Sequence, residues 1–237
     1  MQLFTTEGML FLLRWIHFLA GITWIGLLYY FNLVQVPFFA ETEPAVRSGA
    51  IQKLVPRALW WFRWGAMFTI FSGWLIILHR MGVTGLDGFF DSSYGWAIIT
   101  GGILGTFMWA NVWFVIWPNQ KVVIASAVLA ASGGQAIPEA AARGRRAFLA
   151  SRTNFVFSIP MLFFMGAASH LPLFAGATAG AKIAMALVGT FLLLAIEANA
   201  LTGATGPAKK PLDTVRGAIT SGFILTAVFY LLFEVLF

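Results

Sequence analysis

Residues 8–31 read GMLFLLRWIHFLAGITWIGLLYYF, an unbroken apolar run whose one formal charge is Arg14. About 20 such residues are enough to cross the hydrocarbon core of a bilayer as a helix. No small-residue cleavage site follows the run, so it reads as a permanent span rather than a removable leader. Five further stretches meet the same test: 59–79, 96–117, 154–173, 181–201 and 218–236. The composition agrees. Of 237 residues, 59% are hydrophobic and only 10% are charged, against about 25% charged residues in a soluble domain. Such a chain cannot coat a globular surface with charge, and lipid must face much of it.

An open strand would leave unpaired backbone groups in lipid, and the alternating pattern of a barrel strand is missing. The expected fold class is therefore an all-α polytopic membrane protein. Residues 1–237 would form one transmembrane domain, a bundle of about six helices. Pro118 should end the third span. The apolar stretch KVVIASAVLAAS (121–132) behind it is too short to cross and reads as an interfacial helix, followed by Gly133-Gly134 and a second short helix from about Pro138. Segment 44–54 reads as a similar surface helix. No internal repeat of the inverted-transporter kind is visible.

Charge orients the bundle. Loops 32–58, 118–153 and 202–217 fall on one side and carry Arg47, Lys53, Arg57, Lys121, Arg143, Arg145, Arg146, Arg152, Lys209, Lys210 and Arg216. Basic loops stay in the cytoplasm, which puts both termini on the periplasmic side of a bacterial inner membrane. The net charge of +6 is thus a topology signal, and no nucleic-acid partner is expected. With no cysteine, disulfides, thiolate metal sites and covalent CxxCH haem are excluded.

Polar groups inside a span need a reason. His17 lies on the first span, His79 closes the second and His170 lies near the end of the fourth, so all three fall in the outer half. Gly21 follows His17 by four residues and Gly166 precedes His170 by four. Each glycine shares a face with its histidine and leaves room for a flat macrocycle. Neutral imidazole is a common axial ligand of haem iron. Together these features suggest a non-covalent haem b (metal ligands His17 and His170) near the periplasmic face. The bland alternatives stay open: His17 as an interhelical hydrogen-bonder, His79 at headgroup level beside Arg80, and His170 at a helix end. A carboxylate-assisted copper or zinc site is disfavoured, because no acid accompanies the histidines. Arg14, one turn before His17, can pair with a haem propionate or with Glu234. Arg63 and Glu197 lie at similar depth and can pair, unless Arg63 snorkels. Asn111 and Asn199 read as interhelical hydrogen-bonders, and Gly101 with Gly105 as a close-packing pair.

Three strings, RWIHFLAGITWIGLLYYFNLVQ (14–35), MWANVWFVIWPNQK (108–121) and RGRRAFLASRTNFVFSIPMLFFMGAASH (143–170), resemble the membrane domain of the bacterial cytochrome c-linked urate oxidase (urate hydroxylase) family. The resemblance extends over about residues 8–201. The pattern of His17, Gly21 and Trp24 is also similar to the first helices of membrane haem proteins, so Trp24 joins the cofactor-binding candidates. The resemblance implies oxidation of urate to 5-hydroxyisourate, with electrons passed to a cytochrome c. In the family that cytochrome is a C-terminal domain. Here the sequence stops at Phe237 with no CxxCH, so a separate periplasmic cytochrome c is the implied acceptor. His79 is then the candidate catalytic base, and exchanging His79 with His170 is equally compatible with the sequence. The competing expectation is a non-enzymatic accessory or scaffold subunit of a larger membrane complex, packed through its aromatic spans on proteins, lipids or pigments. A channel or transporter has less support, because intramembrane charges are few and no pair of broken helices is visible.

Overall fold

The computed structural model describes residues 2–237. Among these the regular structure is helical throughout, with no strand, and six helices are long and apolar enough to cross a membrane. Helix α1 (Thr6–Tyr29) passes through a π-helical turn, Tyr30–Gln35, into α2 (Val36–Glu41). Helix α3 covers Pro44–Phe90. Helix α4 (Ser93–Ala110) passes through a second π-helical turn, Asn111–Ile116, into α5 (Trp117–Ala131). Then come α6 (Ala140–His170), α7 (Ala179–Leu201), the single turn α8 (Lys210–Asp213) and α9 (Val215–Leu236). We call the end that carries both termini the termini face and the opposite end the basic face.

Each of four long helices starts on a hydroxyl cap. Thr5, Ser92, Thr178 and Thr214 accept, through their side-chain oxygens, the backbone N–H three residues on, at 3.0–3.2 Å. Each cap is worth about 1 kcal/mol and fixes where the helix begins.

The centre of the bundle is α6, packed against α4, α5, α7 and α9 and touching α1. Its apolar stripe, including Leu149, Phe155, Phe157 and Phe164, is buried, and so is its polar run Arg152–Thr153–Asn154. Helix α1 lies at the periphery and leans chiefly on α3. Large side chains on its outer surface, such as Phe18 and Ile22, are left exposed. At the termini face, Phe164, Phe174, Phe233, Phe237 and Trp96 pack ring on ring. The 171–178 connection is pinned there by Leu173 N–H donating to Ser93 Oγ at 2.7 Å.

Several expected boundaries move. Pro118 does not end a helix, and 121–132 is not a separate interfacial element; it continues the span as α5. The reason is the π-helical turn just before it. A proline ring clashes with the carbonyl four residues back and lacks the N–H that would bond it. A π turn shifts the bonding to five residues and moves that carbonyl away. Pro37 stands in the same relation to the first π turn. Near each proline an asparagine amide satisfies a backbone carbonyl four residues back: Asn32 Nδ2 donates to Leu28 O at 2.8 Å and Asn119 Nδ2 to Val115 O at 2.7 Å. Segment 44–54 is the start of α3, and residues after Pro138 are the start of α6. Loop 80–95 is largely helical too, bent at Gly85, whose φ of 72° lies in the left-handed region.

Candidate functional site

His17 projects from α1 against α3. Its Nδ1 lies 3.0 Å from Thr69 O and 3.2 Å from Ser72 Oγ. The Ser72 hydroxyl hydrogen has its own acceptor, Phe68 O at 2.6 Å, and a carbonyl has no proton to give. Nδ1 must therefore be the donor, and Nε2 carries the free lone pair. His17 is thus an interhelical hydrogen-bonder, one of the two roles open to it from the sequence, and its second nitrogen is left unused. The ring is seated by Gly73: a Cβ there would approach His17 Cε1 to 2.9 Å. The supporting Thr69, Ser72 and Gly73 were not anticipated; a Thr-x2-Ser-Gly run on an apolar helix was the available clue.

Packing fixes relative depth. Tyr29 stacks edge-on against Phe155 and contacts Ser158, and Asn32 contacts Ser151, so α1 and α6 run antiparallel in this register. His17 is as far from Tyr29 as His170 is from Ser158, about 18 Å along each axis. The two histidines thus share one depth in the half of the bundle toward the termini face, but the structure does not turn both toward a common enclosed cavity. His17 faces α3, whereas His170 and Gly166 are exposed on α6. His79 lies on α3 about 9 Å beyond Gly73 toward the termini face and is half-buried, with Arg80 over the Tyr94 ring at 5.3 Å.

The residues present fit a haem in donor chemistry but do not enclose one, since His17 is turned onto α3 and His170 is exposed. Nε2 of His17 is available. A Cβ on Gly166 would meet nothing within 4 Å, and one on Gly21 would meet only Thr69 Cγ2 at 3.9 Å. Trp24 is buried on the same face of α1, and its indole N–H has no acceptor. Among the described residues no cluster of three or more His, Cys, Asp or Glu side chains is poised for a metal ion.

Two expected ion pairs do not form. Among the described residues the salt bridges are Arg145–Asp213 at 2.7 Å and Lys182–Asp91. Arg14 is exposed and not bonded to Glu234. Arg63 lies over the Trp117 ring at 3.5 Å from its centroid and donates to Leu59 O at 3.2 Å, a snorkelling guanidinium on an aromatic face. Glu197 takes a different partner. Asn111 Nδ2 donates to Glu197 Oε2 at 3.0 Å and to Asn154 Oδ1 at 2.9 Å, while Asn154 Nδ2 donates to Met108 O at 2.8 Å. This buried clamp joins α4, α6 and α7 at the π turn. Arg152, expected in a solvated loop, is instead 1% exposed inside α6, with Nη1 donating to Asn32 O at 3.3 Å. Asn199 bonds the following loop, at Ala208 O, rather than another span.

The class defined by these features is a helical bundle with six helices long and apolar enough to cross a membrane, an oriented histidine toward the termini face and a buried amide–carboxylate clamp toward the basic face. The profile of the family described as urate oxidase N-terminal matches residues 88–200, a little under half of the chain. That segment contains Asn111, Asn154, Gly166, His170 and Glu197; His17, Gly21, Trp24 and His79 precede it. No curated protein and no solved structure matches the chain.

Proposed function

We propose that this chain is a urate oxidase-like redox protein of the bacterial inner membrane, with both termini periplasmic and its redox chemistry in the periplasmic half. The carrying observation is His17: its Nδ1–H is spent on Thr69 O, so Nε2 is presented as a ligand. The match to the urate oxidase N-terminal family supplies the reaction class. His17 would be the ligand of haem b, and His170, exposed on α6, would have to turn toward α1 to be the second, with Gly21, Gly166 and Trp24 beside the ring and Arg14 pairing a propionate. Bound there, the haem would supply one-electron transfer toward a periplasmic cytochrome c. Oxidation of urate with one water to 5-hydroxyisourate releases two electrons and two protons, and His79 is the side chain we assign to accept a proton.

The chain's own residues do the preparatory work. Thr69 O and Ser72 Oγ hold the imidazole in one tautomer, and Gly73 sets its plane. The test is reduction of the purified, haem-supplied protein by urate, followed at the haem bands. Urate-dependent reduction that Urea or allantoin does not reproduce supports the proposal; a haem that urate leaves oxidised removes urate as reductant.

A further inference from the structure

At the basic face a cavity of about 350 Å³ opens between the first turns of α6 and the end of α7. Its charged rim is Arg143, Arg145 and Arg146, and its other walls are Leu149, Ala200 and Leu201. The three arginines are not equivalent. Arg145 is committed: it pairs with Asp213 at 2.7 Å and its Nε donates to Ala204 O at 3.0 Å. It ties the 202–213 connection to α6, and its charge is compensated. Among the described residues Arg143 and Arg146 have no carboxylate within 4.0 Å, and Arg143 reaches the neutral Asn119 Oδ1 at a long 3.5 Å. Two uncompensated guanidiniums therefore flank an apolar wall. Space is kept open by Gly203, whose φ of 67° turns the chain away immediately after α7, and by the small side chain of Ala204.

We propose that this cavity binds a phosphate group carried by an anionic phospholipid of the cytoplasmic leaflet. Guanidinium groups match phosphate oxygens in a two-pronged geometry. Basic pockets between spans on the cytoplasmic side suit acidic headgroups. The apolar wall separates the two sources of a phosphate. A free anion gains nothing from Leu149 and Leu201, whereas the glycerol and first acyl carbons of a lipid do. The position fits as well: Leu149 and Ala200 lie about one turn to the basic side of Asn154 and Glu197, where the spans leave the hydrocarbon. The proposal rests on the membrane placement and is independent of the haem assignment.

The experiment uses full-length protein in phosphatidylcholine nanodiscs, titrated with phosphatidylglycerol, with the unfolding temperature as readout. Inorganic phosphate is titrated in parallel. The double variant Arg143→Gln/Arg146→Gln is compared with a charge-matched control, Lys53→Gln/Arg57→Gln, on exposed positions of α3. Wild type and control should be stabilised at the same phosphatidylglycerol fraction, and the double variant should need about tenfold more, the loss expected for about 1.4 kcal/mol of charge-assisted contact. Should the double variant fail to fold, Arg146→Gln alone, an exposed side chain without a partner, carries the test in the same direction. An unchanged response in the arginine variant, or an equal loss in the control, overturns the site. Stabilisation by inorganic phosphate with none by phosphatidylglycerol overturns the lipid source and assigns the cavity to a free anion. The haem spectrum of the arginine variant should match wild type, which separates this result from the redox proposal.

Discussion

A methyl group added at Gly73 should act on His17 rather than on the helix that carries it. The added Cβ would lie 2.9 Å from His17 Cε1 and 3.2 Å from Nδ1, inside the 3.5–4.0 Å at which carbon atoms attract. The ring cannot simply step aside, because Nδ1 is held by Thr69 O at 3.0 Å and Ser72 Oγ at 3.2 Å. It must either leave those bonds, at about 0.5–1.5 kcal/mol, or twist off its rotamer at a similar cost. Alanine returns about 0.5–1 kcal/mol through helix propensity. The two terms nearly cancel, so Gly73→Ala should change stability by less than about 1 kcal/mol while displacing the imidazole. Gly166→Ala is the matched control for the fold, since its Cβ would meet nothing within 4 Å. Thermal unfolding of the haem-free proteins reads the packing, and the spectrum of the haem-supplied proteins reads the ligand. Gly73→Ala should leave the midpoint close to that of wild type and weaken or shift the haem bands. Gly166→Ala should hold or raise the midpoint, and it should disturb only the haem-bound form. A Gly73→Ala protein with an unchanged spectrum would refute the reasoning about how His17 is positioned.

Other consequences follow from the clamp, the π turns and the orientation. Asn154→Leu removes the acceptor of Asn111 and the donor to Met108 O; it should destabilise by about 1–3 kcal/mol for each buried group left unpaired, seen as a lower midpoint in unfolding. Glu197→Gln keeps an oxygen for Asn111 and should be far milder than Glu197→Leu in the same assay. Pro118→Ala should change stability by much less than the roughly 3 kcal/mol typical of a mid-helix proline, because the π turn already moves the conflicting carbonyl; a larger gain would contradict that account. The chain has no native cysteine, so single cysteines at Gly176 and Ser132 should label from opposite sides of intact cells, Gly176 from the periplasm; labelling of both from one side would contradict the assigned topology.

Much of the fold is legible in the sequence because lipid demands long apolar runs: five of the six expected runs fall within one long helix each, and the fourth, 154–173, overruns its helix by three residues past His170. The ends of those helices were less legible. Pro118 reads as a breaker under α-helical rules, and nothing in local composition announces the π turn that absorbs it. Residues 44–54 and 138–153 are polar enough to read as loop or surface helix, yet they continue spans beyond the apolar zone. Arg152 carries the same lesson. A basic residue near a span end reads as solvated, but the neighbouring Thr153 and Asn154 mark a helix face that turns toward protein. In the candidate site, the shared depth of His17 and His170 was readable from helical rise alone. The direction of each ring was not, because it depends on which helix becomes the neighbour: α3 for His17, and no covering helix for His170. Glu197 was visible as an intramembrane acid, but its partner was not, since Asn111 reaches it through a local change in helical pitch.

The most direct measurement is the visible absorption spectrum of the full-length protein purified from cells supplied with haem, taken with its histidine variants. Wild type should show a Soret band with sharpened reduced bands, His79→Ala should retain it, and His17→Ala and His170→Ala should each lose it. Haem-supplied wild-type protein that folds and shows no Soret band would contradict the haem assignment.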